Sequence, residues 1–176
     1  MVSYMEPLFE IKPMIQGLSH LTFIVRDLDK MARIITDVFG GKEVYSSENA
    51  TFSTSREKFF VAGGIWIAIM EGEPLPARSY NHVAFQVSDA QLETARAAAE
   101  KLGLDIRPPR PRVEGEGQSL YFHDYDNHLF ELHTGTLDER LARYKGAKKW
   151  KLLLFRVRLI IAFPSSPVLR FPSSKA

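Results

Sequence analysis

A chain of 176 residues, 45% of them hydrophobic, is long enough to bury a core in one or two small domains and too apolar to stay unfolded. Its 23 Lys and Arg nearly balance its 21 Asp and Glu, and a net charge of +2 gives no bulk electrostatic reason to expect a nucleic-acid partner. The absence of cysteine excludes disulfides, thiolate metal ligands and a cysteine nucleophile, and it fits a reducing cytoplasm.

Residues 1–13, with Glu6, Pro7, Glu10 and Pro13, lack the basic start and apolar run of a signal peptide. Secretion is not expected, and the segment reads as an N-terminal extension. From Leu18 the pattern predicts a strand to Val25, a helix over Leu28–Phe39, and strands near Lys42–Ser46, Phe52–Ala62 and Ile65–Met70. Pro74 and Pro76 mark a connector from Glu71 to Ser79. A second unit follows, with a strand over His82–Val87, a helix over Ala90–Leu102, and strands near Asp105–Ile106, Ser119–His123 and Leu129–His133. Both units read βαβββ, and a glycine stop closes each helix, Gly40-Gly41 in one and Gly103 in the other. The fold class expected is α+β, two tandem modules spanning about 17–72 and 80–135 within a domain of 14–144.

Between Arg107 and Gly117, prolines and glycines exclude helix and central strand, so a long surface loop replaces a tight connection. The segment 145–176 interrupts short apolar runs such as Leu152-Leu153-Leu154-Phe155 with Lys148, Lys149, Lys151, Arg156 and Arg158. Those runs fall far short of the roughly 20 residues that span a bilayer. A poorly ordered extension with no catalytic part and no membrane span is expected there.

The two modules are copies of one another. His20-Leu-Thr-Phe23-Ile-Val25-Arg-Asp27 matches His82-Val-Ala-Phe85-Gln-Val87-Ser-Asp89 in its His, Phe, Val and Asp. Aligning Gly72 with Gly135 sets Ile65–Glu71 against His128–Thr134, and Glu131 then falls opposite Ala68. Paired modules would bring two imidazoles toward one cavity, while only one final strand contributes a carboxylate.

Among His20, His82, His123, His128 and His133, a lone strand histidine is usually a satisfied core or surface residue. The repeat lifts His20 and His82, because it places them equivalently. With Glu131 they form a two-histidine, one-carboxylate set, which holds a divalent metal and leaves positions free for water or substrate. Strand alternation puts His133 on the face of Glu131 and His128 on the other, so His133 remains a rival ligand without a repeat partner.

Five stretches carry a resemblance to a known family: Gly17-Leu-Ser-His20-Leu-Thr, Ser55-Arg-Glu57-Lys-Phe-Phe60, Tyr80-Asn-His82, Arg110-Pro-Arg-Val-Glu-Gly-Glu-Gly117, and Asp126-Asn-His-Leu-Phe-Glu131-Leu-His-Thr-Gly135-Thr-Leu. From about Met14 to Tyr144 the chain resembles the vicinal oxygen chelate superfamily, and within it the fosfomycin-resistance epoxide hydrolases of the FosX type. The resemblance implies a cupped mixed sheet around a metal, usually Mn²⁺, held by the equivalents of His20, His82 and Glu131. It implies a homodimer whose modules pair between chains, with one histidine from each subunit. It also implies that Glu57 is the general base for water addition, although a glutamate between Arg56 and Lys58 reads by itself as a solvated charge.

By resemblance to the thiol-transferring relatives, Thr22, Trp66, Ser119, Tyr121 and Arg140 match residues around the metal and the phosphonate; the lysine those relatives carry in the loop before Ser119 has no clear counterpart, and Arg112 is the candidate to replace its charge. Trp66 reads equally as core filler and Glu131 as a carboxylate paired with an arginine. Three alternatives share the scaffold: a fosfomycin thiol transferase, a non-catalytic antibiotic-binding protein, and an extradiol dioxygenase with the same ligand set.

Overall fold

Alternation of apolar and polar residues along short segments builds eight strands in the computed structural model, which describes residues 14–111 and 116–146. The extension 1–13, the loop residues Arg112 and Glu114, and the tail from 147 lie outside the described residues. One compact unit comprises the described residues up to Pro109 together with Ser119–His133; a second comprises those of Arg110–Gln118 and from Thr134 onward. In the second unit, the Gln118 amide donates to the Thr134 hydroxyl and the Thr134 amide to the Gln118 carbonyl, and residues 137–146 are helical. Thr136 caps that helix against Glu139, whose carboxylate accepts from the Thr136 amide and hydroxyl, both at 2.8 Å.

The first unit holds both repeats. Module 1 consists of β1 (His20–Val25), α1 (Leu28–Arg33), β2 (Lys42–Ser46), β3 (Glu57–Ala62) and β4 (Ile65–Glu71); module 2 of β5 (His82–Gln86), α2 (Asp89–Lys101), β6 (Asp105–Ile106), β7 (Ser119–His123) and β8 (Leu129–His133). The sheets have the same order, β1-β4-β3-β2 and β5-β8-β7-β6, with β1 parallel to β4 and β5 parallel to β8. The expected βαβββ repeat is therefore present twice. Two expected strands begin late, at His20 rather than Leu18 and at Glu57 rather than Phe52, because residues 52–55 form bends before the ladder starts.

Helix ends follow local chemistry. Asp27 caps α1 by accepting from the amides of Asp29 and Lys30, and Ser88 with Gln91 forms a capping box on α2. The helix expected to run to Phe39 widens after Arg33 into a π-helical turn, Ile34–Val38, with Phe39 donating to the Ile34 carbonyl. Gly63 and Gly64, with φ of 56° and 78°, turn β3 into β4 in a conformation that side chains disfavour.

Register decides which residues share a face. In module 1, Thr22 pairs with Ala68, and Ala68 with Phe59; in module 2, Ala84 pairs with Glu131, and Glu131 with Tyr121. One face of each sheet faces the helices: Phe23, Val25, Phe60, Ile67 and Ile69 in the first, Leu120, Phe122, Phe130 and Leu132 in the second, all buried. Phe39 joins them across the modules, its ring 5.0 Å from Phe85 and 5.2 Å from Phe130. The turn before β8 adds a polar link, Asp126 accepting from Arg26 Nε at 3.0 Å. Truncating a fully buried ring such as Phe130 to alanine would cost about 3 to 5 kcal/mol.

Candidate metal and substrate site

The opposite faces of the two sheets carry the candidate residues. On the first sheet, alternation and register put His20, Thr22, Trp66 and Glu57 on one face, with Ala68 between them. On the second, His82, Glu131, His133, Ser119 and Tyr121 share the corresponding face. The ladders reproduce the repeat alignment residue by residue: Glu57 pairs with Met70 as Ser119 pairs with His133. Glu57 and Ser119 therefore occupy the same position in the two copies.

A corner of the second sheet is built around Glu131. His82 Nε2 lies 3.0 Å from Glu131 Oε2, and His82 Nδ1 lies 2.8 Å from the Tyr80 carbonyl. A carbonyl only accepts, so Nδ1 carries a proton, and Nε2 is the atom turned toward the carboxylate. So short an approach of Nε2 to a carboxylate oxygen is satisfied by a proton on Nε2 or by a metal ion between the two. Orientation of a ligating imidazole by a backbone carbonyl is the usual support for a metal-bound histidine.

Ser119 Oγ donates to Glu131 Oε1 at 2.5 Å; with its single proton committed there, it accepts from His133 Nδ1 at 2.8 Å. His133 thus supports the corner through Ser119 and sits 3.7 Å from Glu131 Oε1 itself. Burial would raise the Glu131 carboxyl, but hydrogen bonds from Ser119 and Tyr121 and the nearby His133 and His82 outweigh it and hold the group below the ordinary carboxylate range. Burial pushes the Tyr121 phenol up, aided by its hydrogen bonds to Glu131 and Tyr80, so Tyr121 stays a donor.

His20 stands apart from this corner. Its Nδ1 is 3.1 Å from Ser19 Oγ, and its ring lies 4.5 Å from that of Trp66, its register partner. Among the described residues, no three His, Cys, Asp or Glu side chains gather as a metal-binding group within the chain. Of the three expected ligands, the chain brings together His82 and Glu131 and leaves His20 on the other sheet. The donor set of that corner nonetheless suits a divalent ion, with an oriented imidazole and a carboxylate held ionised.

Glu57 is only 8% exposed, contrary to the solvated charge its neighbours suggest. Its amide donates to Ser47 Oγ at 2.9 Å, and among the described residues no hydrogen-bond or ion-pair partner meets its carboxylate. The flanking charges are held elsewhere: Arg56 by Glu71, Lys58 by Asp29. Trp66 is 39% exposed, so it is surface lining and not core filler. Arg140 lies in the second unit, on the helical residues 137–146.

Sequence reasoning missed Tyr80, whose backbone carbonyl fixes the His82 ring and whose own ring lies 5.1 Å from it. Its position two residues before a candidate ligand on an edge strand was the available signal. Cavity size is no guide here. A larger cavity of about 780 Å³, lined by Phe39, Ile65, Phe85 and Leu132 among others, includes none of the expected ligands.

A family model described as the Glyoxalase/Bleomycin resistance protein/Dioxygenase superfamily matches residues 17–132. The fosfomycin resistance protein FosX of Mesorhizobium japonicum is 65% identical over 130 residues, which cover 74% of this chain and 94% of that protein. The crystal structure of the fosfomycin resistance protein FosX from Mesorhizobium loti is 60% identical, with a TM-score of 0.66 over 73% of this chain and 99% of that one. A point mutant of the genomically encoded FosX from Listeria monocytogenes, complexed with Mn(II) and 1S,2S-dihydroxypropylphosphonic acid, is 50% identical, with a TM-score of 0.67 over 74% of this chain and 99% of that one. With the repeated βαβββ units and the His82–Glu131 corner, these likenesses establish that the chain belongs to the Glyoxalase/Bleomycin resistance protein/Dioxygenase superfamily and, within it, to the family of the fosfomycin resistance protein FosX.

Proposed function

We propose that this protein is a Mn²⁺-dependent epoxide hydrolase that adds water to fosfomycin and so confers resistance to it. The observation that carries the reading is Glu57: a carboxylate buried on the face that holds His20, Thr22 and Trp66, meeting no partner among the described residues. Its unpaired oxygens are not among the side-chain atoms closed to solvent, so a water molecule can reach the carboxylate, as a general base requires. The Listeria relative's bound diol phosphonate is the product that water addition would give.

Glu57 accepts a proton from water as the water oxygen bonds to an epoxide carbon; the ring C–O bond breaks, and the departing oxygen takes up a proton. One water is consumed and one diol forms. A positioned base contributes about 10² to 10⁴ in rate. His20, His82 and Glu131 would hold the Mn²⁺, which when bound supplies Lewis-acid stabilisation of the charge developing on oxygen. Tyr121 and Ser119, proposed on family resemblance to surround the metal and the phosphonate, give their hydroxyl protons to Glu131 and so keep the carboxylate ionised on the face where substrate would sit. Thr22 and Trp66 line the facing sheet, and Arg140 is the cation proposed for the phosphonate on family resemblance.

The site is proposed to be shared between two copies in a homodimer, one donating His20 with Glu57 and the other His82 with Glu131. Support comes from the separation of His20 from the Glu131 corner and from the exposure of Ile24, Val61 and Trp66 on the face that His20 occupies. A cysteine-free chain in which no described helix is long and apolar enough to cross a membrane is compatible with the proposed cytoplasmic site of action.

Phosphorus NMR of fosfomycin incubated with the purified protein and Mn²⁺, with and without glutathione, tests the reading. A diol phosphonate formed without thiol is expected. A thiol adduct as the sole product would move the protein to the thiol transferases, and unreacted fosfomycin with stoichiometric binding would make it a sequestering protein.

A further inference from the structure

Beside the His82–Glu131 corner, the first unit contains a second polar cavity of about 420 Å³, lined by Arg78, Ser79, Tyr80, Asp105, Arg107, Pro108 and His123. Strand pairing builds it: Asp105 sits opposite His123, and the Arg107 amide donates to the Tyr121 carbonyl, continuing the β6–β7 ladder by one residue. Tyr80 is its wall on the side of the metal corner, because the same residue accepts from His82 Nδ1.

Two features of this cavity bear on what it could hold: an unsatisfied buried imidazole and an exposed guanidinium held in place by a ring. His123 is 7% exposed, and among the described residues neither of its ring nitrogens has a hydrogen-bond partner. An imidazole always has at least one N–H to donate, and leaving it unsatisfied when buried is a cost that native structures rarely carry without a reason. The second feature is Arg107. Its guanidinium lies over the Tyr80 ring at 5.4 Å, and among the described residues it has no carboxylate partner and no side-chain hydrogen bond. Arg78 is paired with Asp105, and the Ser79 hydroxyl accepts from the Asn81 amide, which leaves its own proton to donate.

We propose that this cavity is a binding site for a tetrahedral oxyanion, a phosphate or phosphonate group, gripped by Arg107 and Arg78, with a hydrogen bond from His123 once its ring turns to open to the cavity a nitrogen that is closed to solvent in the free protein. The donors suit such a ligand by number and charge. Two guanidiniums present planar forks that match phosphate oxygens, whereas Asp105 opposes one of the two cations only. Stacking on Tyr80 pre-orders Arg107, so little side-chain freedom is lost on binding. The assignment needs neither the metal nor the epoxide chemistry.

The test is a titration of metal-free, histidine-labelled protein with inorganic phosphate at constant ionic strength, read at the His123 ring resonance, which the His123→Phe spectrum identifies. A saturable shift is expected. Arg107→Gln, a change at an exposed position, should weaken half-saturation by roughly tenfold or more, the loss of one charge-assisted pair. Glu131→Gln should leave the titration unchanged; its disappearance there would put the phosphate at the metal corner and overturn the assignment. A shift no larger than chloride gives, an equal response to acetate, or indifference to Arg107→Gln would mean an adventitious ion only.

Discussion

Replacing Glu57 by glutamine separates a catalytic carboxylate from a structural one, because loss of a structural role lowers stability whereas loss of a catalytic role lowers only the rate. The substitution preserves shape and removes a charge from a position 8% exposed, where no partner meets the carboxylate among the described residues. Solvent reaches the unpaired carboxylate oxygens, which are not among the side-chain atoms closed to it, so removing the charge changes stability little. Glu57→Gln should therefore leave the metal-free protein within about 0.5 kcal/mol of the parent. At about 2 to 4 °C per kcal/mol for a chain of this size, the melting temperature moves by no more than about 2 °C. Diol formation should fall by about 10² to 10⁴, with Mn²⁺ affinity unchanged. Calorimetry of the apo protein, Mn²⁺ titration followed by electron paramagnetic resonance, and phosphorus NMR rates provide the three readings. A variant that melts lower than the parent while hydrolysing fosfomycin at the parent rate would refute the reasoning at both ends.

Ser119→Ala removes the 2.5 Å hydrogen bond that helps keep Glu131 ionised; Mn²⁺ affinity should drop by roughly 10- to 100-fold, measured by the same paramagnetic titration. Equal mixing of inactive His20→Ala and Glu131→Ala proteins, followed by subunit exchange, should restore about a quarter of wild-type activity, since half of the dimers are mixed and each has one intact site. Absence of any recovery after confirmed exchange would rule out sharing of the site between subunits. Burial, together with Arg78 and Arg107 and against Asp105 and Asp124, holds the His123 imidazole below its ordinary value of 6.5. Its unfolded form then binds the proton first, so this contribution to stability is complete above pH 6.5 and is lost as pH falls below it. Urea unfolding between pH 7.5 and 5 should show a steeper loss in wild type than in His123→Phe.

Periodicity and the glycine stops made both βαβββ units readable, because the repeat supplies each strand with a second reading. Where the chain leaves strict alternation, that reading failed. Phe52 to Ser55 have strand-like composition but lie in bends, and the last turns of α1 widen to the π form under packing that no local propensity encodes. The repeat also exposed His20, His82 and Glu131 as a set, and the ladder supports its alignment by pairing Ala84 with Glu131 as Thr22 pairs with Ala68. Burial of Glu57 was not legible: Arg56 and Lys58 disguise it, and only the structure reveals that each is engaged by another carboxylate. Tyr80 was hidden for a different reason, since it acts through a backbone carbonyl, which no residue identity announces.

Glu57 and Ser119 fill one and the same slot of the repeated unit, yet in the proposed reaction one acts through water while the other hydrogen-bonds the Glu131 carboxylate. Duplication has thus given the family two addresses that can be rewritten separately. On the proposed function, a change at the first would alter the nucleophile while leaving the Ser119–Glu131 contact at the second untouched.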